Sequence, residues 1–225
     1  MSEYTELNQG GQKLATFLRT LSYQYQWLYD GISRVAALSV GGEKRFRQLA
    51  LANLDIGKTT EVLDLCCGAG QTTRFLVKYS DHVTGLDVSP VALERAKKNV
   101  PQANYVEGLA QKMPLNDNQF DLVHTSSALH EMTPEELQQI LQEVYRVLKP
   151  DGIFTLVDFH PPTNPLYWLP VSIFMVLFET ETAWQLLKTD LTTLLTAQGF
   201  EIVNKSLYAG GSLQVIQAKK SRIPH

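Results

Sequence analysis

Residues Glu61 to Thr72, E-V-L-D-L-C-C-G-A-G-Q-T, constrain the fold more than any other stretch of this 225-residue chain. A short apolar run (Val62, Leu63, Leu65) carries Asp64 near its end and breaks into Gly68 and Gly70, after which Arg74, Phe75, Leu76 and Val77 resume at helical spacing. The pattern predicts strand, tight turn, helix. Glycine has no Cβ and tolerates positive φ, so the backbone of such a turn can approach a ligand closely. The unpaired N–H groups of the helix start point at the same spot. A nucleotide-type ligand suits this arrangement.

Beyond the turn the pattern alternates. Strands are predicted at 61–65, 82–87, 103–107, 120–125 and 153–159, with helices at 71–79, 90–99 and 134–148. Ser89 before Pro90 and Thr133 before Pro134 read as N-caps followed by an N1 proline, and Lys149-Pro150-Asp151-Gly152 reads as a turn. Such alternation predicts a parallel sheet covered on both faces. A helix at 189–198 leads to strands at 200–208 and 211–218, joined as a hairpin by Ala209-Gly210-Gly211. The expected fold class is therefore α/β: a Rossmann-like, doubly wound, seven-stranded sheet, mostly parallel with an antiparallel last strand. Leu14 to Asp30 and Glu43 to Leu54 carry apolar residues at helical spacing. The expected organisation is an N-terminal helical cap over 1–58 and a ligand-binding domain over 59–225, with an apolar helical insertion at 161–188.

Composition narrows the partners. With 20 basic and 23 acidic residues, mixed along the chain and summing to −3, there is no electrostatic footprint for nucleic acid. The two cysteines, Cys66 and Cys67, are adjacent, a spacing that rarely satisfies disulfide geometry, so reduced thiols and a cytoplasmic setting are expected. The first residues lack a basic segment followed by an apolar one, so no secretory signal is expected. The most apolar segment, Leu166 to Phe178, is shorter than the roughly 20 residues a membrane span needs and contains Pro170. A buried helix and a peripheral membrane contact through 166–178 both fit it. Nothing in the sequence indicates an oligomeric state.

Two readings compete for the glycine turn. A dinucleotide site wants a third small residue after Gly68 and Gly70, and that position holds Thr73. Asp64, four residues before Gly68, would repel a pyrophosphate but suits an ammonium group. Asp87 ends the second strand 19 residues beyond Gly68, where a carboxylate can accept hydrogen bonds from both ribose hydroxyls. Ribose without pyrophosphate, together with an amino-acid end, describes S-adenosylmethionine.

Four ordered segments, V-L-D-L-C-C-G-A-G, V-T-G-L-D-V-S-P, F-D-L-V-H-T-S-S-A-L-H-E-M and V-L-K-P-D-G-I-F-T-L-V-D-F, resemble the class I S-adenosylmethionine-dependent methyltransferases over about Thr60 to Phe159. The resemblance implies Asp64, Gly68 and Gly70 around the methionine end of that cofactor, Asp87 at the ribose, Val88 on the adenine face and the Thr125 backbone at the amino group. There are departures within the same shell. Cys66 stands where the family favours glycine, so a different backbone is expected there, and Gly108-Leu109-Ala110 replaces a G-D-A triplet whose acid meets the adenine amino group. The loss of that one hydrogen bond would cost on the order of 1 kcal/mol.

Methyl transfer needs an aligned nucleophile and removal of its proton. Candidates lie at the ends of the fourth and fifth strands: His130 first, then Glu131, and His160 beyond Asp158. His130 reads equally as a polar helix-start residue and His160 as a loop residue, while His124, inside an apolar strand, reads as a core histidine. Trp27-Leu28-Tyr29-Asp30, Ser39 to Gly42 and Arg45-Phe46-Arg47 resemble the opening of the methyltransferases of menaquinone, ubiquinone and phylloquinone biosynthesis, which implies that Tyr29 closes over the cofactor. With the apolar insertion, the resemblance implies a small hydrophobic acceptor, a quinol or phenol methylated on carbon or oxygen. A protein substrate, or a cofactor-binding regulator without turnover, stays open at this point.

Overall fold

The computed structural model describes residues 40–221. The helices expected over Leu14 to Asp30 lie outside the described residues. The description opens with Gly41 and Gly42, both at positive φ (93° and 102°), which start helix α1 (Glu43–Gln48). The helix expected to run to Leu54 gives way to a 3₁₀ turn at Leu49–Leu51, and Asn53 turns the chain at φ 61°.

Strand β1 (Glu61–Leu65) follows, then α2 (Thr73–Leu76), β2 (His82–Asp87), α3 (Pro90–Asn99), β3 (Asn104–Glu107) and β4 (Phe120–Ser126). The second half holds α4 (Pro134–Val147), β5 (Leu148–Phe159), α5 (Trp168–Phe178), α6 (Glu181–Leu187), α7 (Leu191–Ala197), β6 (Phe200–Tyr208) and β7 (Leu213–Lys220). The caps are those the sequence predicts. Ser89 accepts the Ala92 N–H at 3.2 Å, and Thr133 and Glu136 form a reciprocal capping box. Helix α2 is shorter than the expected 71–79, because its C-terminal amides (Lys78, Tyr79) bond three residues back rather than four.

The strands form one seven-stranded sheet in the order β3-β2-β1-β4-β5-β7-β6. Every pairing from β3 to β5 is parallel, and β7 runs antiparallel to both β5 and β6. Both faces are covered. Leu63, Leu65, Phe154 and Ile216 pack beneath Ile140, Leu141 and Val144 of α4, whereas Val62, Val83 and Leu122 face Leu51 and Leu76 on the other side. The expected turn at Lys149–Gly152 is instead a bulge within β5. Leu148 already pairs with Phe120, the register shifts before Leu122, and Asp151 takes φ 65°. The Lys149 ammonium holds Asp121 at 2.9 Å on the neighbouring strand, so the chain kinks without leaving the sheet.

Helix α5 carries the apolar segment, with Pro170 in its first turn, where the missing N–H costs nothing. Met175 is fully buried with Ala183 and Leu187 of α6, and Phe174 and Val171 pack against the same cluster. Leu169, Ile173 and Val176 form the opposite, exposed side. Among the described residues no helix is long and apolar enough to cross a membrane.

Candidate active site

The strand order reverses between β1 and β4, which opens a crevice beyond their C-terminal ends. A cavity of about 760 Å³ occupies this crevice. Of the sequence-predicted cofactor residues, Asp64, Cys66, Gly68, Asp87, Val88, Leu109 and Ala110 all line it, although they come from three separate strand ends.

Asp64 is the fully buried acid of the site. Its Oδ2 accepts the Thr73 hydroxyl at 2.6 Å. Burial pushes its carboxyl up to about 7, against the opposing pull of the Thr73 hydrogen bond and the Arg47 charge. Asp87 organises the backbone around it: Oδ2 accepts the Gly68 N–H at 2.8 Å and Oδ1 the Ser89 N–H at 2.9 Å. Each oxygen keeps a lone pair for a further donor. Cys66 adopts φ 57°, the left-handed conformation that glycine takes freely, so the backbone follows the glycine path and the side chain carries the strain. Burial lifts its thiol to about 12, with the nearby carboxylates adding to the shift, which keeps it neutral. Val88 and Leu109, both exposed apolar residues, also line the cavity.

Two of the remaining three expected cofactor residues do not line the cavity, and the third lies outside the described residues. Gly70 does not line the cavity: at φ 83° it lets α3 approach, and a Cβ there would lie 3.3 Å from Val100 Cγ2. Thr125, expected to act through its backbone, is buried in the sheet, and the cavity is lined by the residues that follow it, Ser126, Ser127 and Ala128. Tyr29 lies outside the described residues. Arg47, absent from the expected cofactor set, lines the cavity from α1, nearly buried, with Nη1 3.4 Å from the Ser126 hydroxyl. A buried guanidinium near a buried carboxylate is a signal that spacing in the sequence does not carry.

Of the candidate catalytic residues, Glu131 lines the cavity and the two histidines do not. His130 is buried, with Nδ1 2.8 Å from Asp158 Oδ1 and Nε2 3.6 Å from Glu179 Oε2. Burial pushes its imidazole down, but the charges of Asp158, Glu179 and Glu131 outweigh this and lift it to about 9. A ring that is already protonated at neutral pH cannot take a proton from an acceptor, so the expectation of His130 as base does not fit its surroundings. His160 Nδ1 faces the Pro161 and Gly211 carbonyls at 2.8 and 2.9 Å, which fastens the end of β5 to the 209–211 turn. His124 is a core residue, as expected. Its Nδ1 meets the Thr155 hydroxyl at 2.8 Å, and burial lowers it to about 3, but its Nε2 has no hydrogen-bond partner among the described residues.

The donor set fits S-adenosylmethionine. A buried carboxylate raised to about 7 is suited to a cationic partner, and a guanidinium beside it suits a carboxylate, the two charges of an amino-acid end. The position at which a pyrophosphate site wants a third small residue holds Thr73, whose hydroxyl is committed to Asp64.

Relatives agree with the geometry. A family model described as a methyltransferase domain matches residues 62–152. An uncharacterized methyltransferase of Synechocystis sp. is 61% identical over 209 residues, spanning 93% of this chain and 99% of its own length. The demethylmenaquinone methyltransferase of Lactobacillus johnsonii is 29% identical over 222 residues, covering 86% of this chain and 89% of its own. The 2-phytyl-1,4-naphtoquinone methyltransferase of Nostoc sp. is 32% identical over 136 residues, 56% of this chain and 58% of its own. Among solved structures, an S-adenosylmethionine-dependent methyltransferase from Mesorhizobium loti superposes with a TM-score of 0.62 at 20% identity, over 80% of this chain and 99% of that one. With its cavity, its acid pair and these relatives, the chain belongs to the class I S-adenosylmethionine-dependent methyltransferases.

Proposed function

We propose that this methyltransferase acts on a small, hydrophobic, hydroxylated ring, a quinol or phenol, at carbon or oxygen. The cofactor supplies a methyl carbon activated by its sulfonium. Asp64 would hold the ammonium of the amino-acid end and Arg47 its carboxylate, while Asp87 would accept from the ribose hydroxyls and Val88 and Leu109 would sandwich the adenine. Glu131, which lines the cavity where His130 and His160 do not, would take the ring hydroxyl proton.

The observation that carries the acceptor class is the insertion. From Pro161 to Phe178 it contains no Asp, Glu, Lys or Arg, and its Phe174 meets Phe159 edge to face with ring centroids 6.0 Å apart, beside the turn that bears Glu131. In this reading residues 59–225 form the catalytic domain, 161–188 the acceptor wall and 1–58 a cap. The names of the Lactobacillus and Nostoc relatives favour a naphthoquinol with an isoprenoid tail. The exposed side of α5, with Trp168 at its start and Leu166 ahead of it, would then meet the lipid from which such an acceptor is drawn.

The test is transfer of labelled methyl from S-adenosylmethionine to a panel of naphthohydroquinones with and without prenyl tails, beside phenols and peptides. Labelled naphthoquinol, formed faster with a tail and with lipid vesicles present, is the expected result. Label on peptides alone would overturn the acceptor class.

A further inference from the structure

One side chain of the cavity turn, His130, reaches both β5 and the insertion. His130 Nδ1 lies 2.8 Å from Asp158 Oδ1 on β5, and its Nε2 lies 3.6 Å from Glu179 Oε2 at the junction of α5 and α6. Asp158 accepts the N–H groups of Ala128 (3.2 Å) and Leu129 (2.8 Å), which fixes the turn that follows β4. The imidazole packs on the Phe159 ring at 4.5 Å, and Phe159 packs on Phe174 of α5. Ala128 and Glu131 of the same turn line the cofactor cavity.

We propose that His130 is a positioning residue: it fastens the insertion to the 128–131 turn and so sets where the acceptor wall stands over the cofactor cavity. The inference rests on the reading of the insertion as that wall. Both ring nitrogens face carboxylates, and only the protonated ring can donate to both. Asp158 is 1% exposed and the Glu179 side chain 14%, so solvent screens the pair little, and removing the charge between them would leave the repulsion of the two carboxylates unopposed at that point.

The groups facing the ring are all acidic: Asp158 from β5, Glu131 from its own turn and Glu179 from the α5–α6 junction. Helix α6, which packs on the turn, adds only Glu181, and that side chain is exposed. The ring's folded value of about 9 lies above its ordinary 6.5. The clamp is therefore fully set below about pH 6.5 and is lost as pH rises through about 9. On deprotonation one N–H disappears, and the longer contact, to Glu179, is the one given up.

Amide hydrogen exchange on the full chain near neutral pH, in His130→Gln and Glu179→Gln, reads the clamp directly. Exchange in α5 and α6 should accelerate by about tenfold in both variants while β1 and β4 hold. With a short-prenyl naphthohydroquinone as probe, the acceptor KM should rise by about fivefold, with cofactor Kd unchanged. The wild-type rise in KM above about pH 9 should vanish in Glu179→Gln. If His130→Gln does not fold, Glu179→Gln alone decides the matter. Unaltered exchange in α5 and α6 overturns the clamp, as does a collapse of kcat at constant KM, the mark of a general base. Faster exchange with an unaltered acceptor KM supports the clamp and overturns the acceptor-wall reading instead.

Discussion

The Thr73 hydroxyl donates to Asp64 Oδ2 at 2.6 Å, joining the first residue of α2 to the end of β1. The residue that disqualifies the turn as a dinucleotide site is thus the one that steadies its acid. Because burial lifts Asp64 to about 7, the free enzyme holds it partly protonated near neutrality. A cofactor ammonium favours the ionised form, so binding should release a proton between about pH 5 and 7, with affinity climbing over that range and levelling above it. Calorimetric titration with S-adenosylmethionine in buffers of different ionisation enthalpy measures this release. Thr73→Val, which removes a stabilising hydrogen bond from the carboxylate, should move the midpoint upward.

Asp64→Asn should separate stability from function. The folded value of Asp64 lies above its ordinary 3.8, so its ionisation opposes folding: the cost is absent below about pH 4, grows towards about 7 and is constant beyond. Near pH 8 the variant should resist urea better than wild type by about 1–3 kcal/mol, less than the full shift implies, because the new NH2 needs a partner of its own. Its cofactor affinity should fall by more than about tenfold.

Asp87→Ala should cost affinity and order together. The carboxylate already accepts the Gly68 and Ser89 amides, so its loss frees two backbone donors as well as the expected ribose contacts. Hydrogen bonds to a charged acceptor are worth about 1.5–3 kcal/mol each, which predicts at least about a tenfold weaker cofactor Kd and a lower Tm. An unchanged Kd, measured by calorimetry, would show that Asp87 is not at the ribose.

Gly70→Ala should do the reverse of Asp64→Asn. Its φ of 83° and the 3.3 Å approach to Val100 Cγ2 place the penalty in α3 packing and backbone strain, roughly 1–3 kcal/mol. Folded protein should bind S-adenosylmethionine with wild-type affinity, since Gly70 does not line the cavity. A large loss of affinity with an unshifted Tm would restore it to the methionine end.

Much of the fold was legible because it is written in local patterns. The ranges of β1, β2 and α3 follow from apolar runs and from the Ser89-Pro90 cap, which act within a few residues. The bulge in β5 was not legible, since the Lys149–Asp121 ion pair that keeps the chain in the sheet joins distant residues. The cavity lining was readable where a strand end dictates direction, as at Asp64 and Asp87. It misled at Gly70, where positive φ serves helix packing and a sequence pattern cannot tell the two uses apart. The roles of His130 and Arg47 depend on what burial and neighbouring charge do to a side chain, and no motif encodes either.

The place of β7 bears on how the molecule assembles. It is synthesised after β6 yet lies between β6 and β5, with Ile153 opposite Lys219 and Phe159 opposite Leu213. Strands β1 to β4 and the crevice at their ends can pair as the chain emerges, but β6 has no partner until β7 exists to bridge it to β5. The right-hand half of the sheet must therefore close in one late step across the whole insertion, the kind of long-range pairing that folds slowly. A nascent chain halted before β7 would carry a formed donor site beside an open sheet edge.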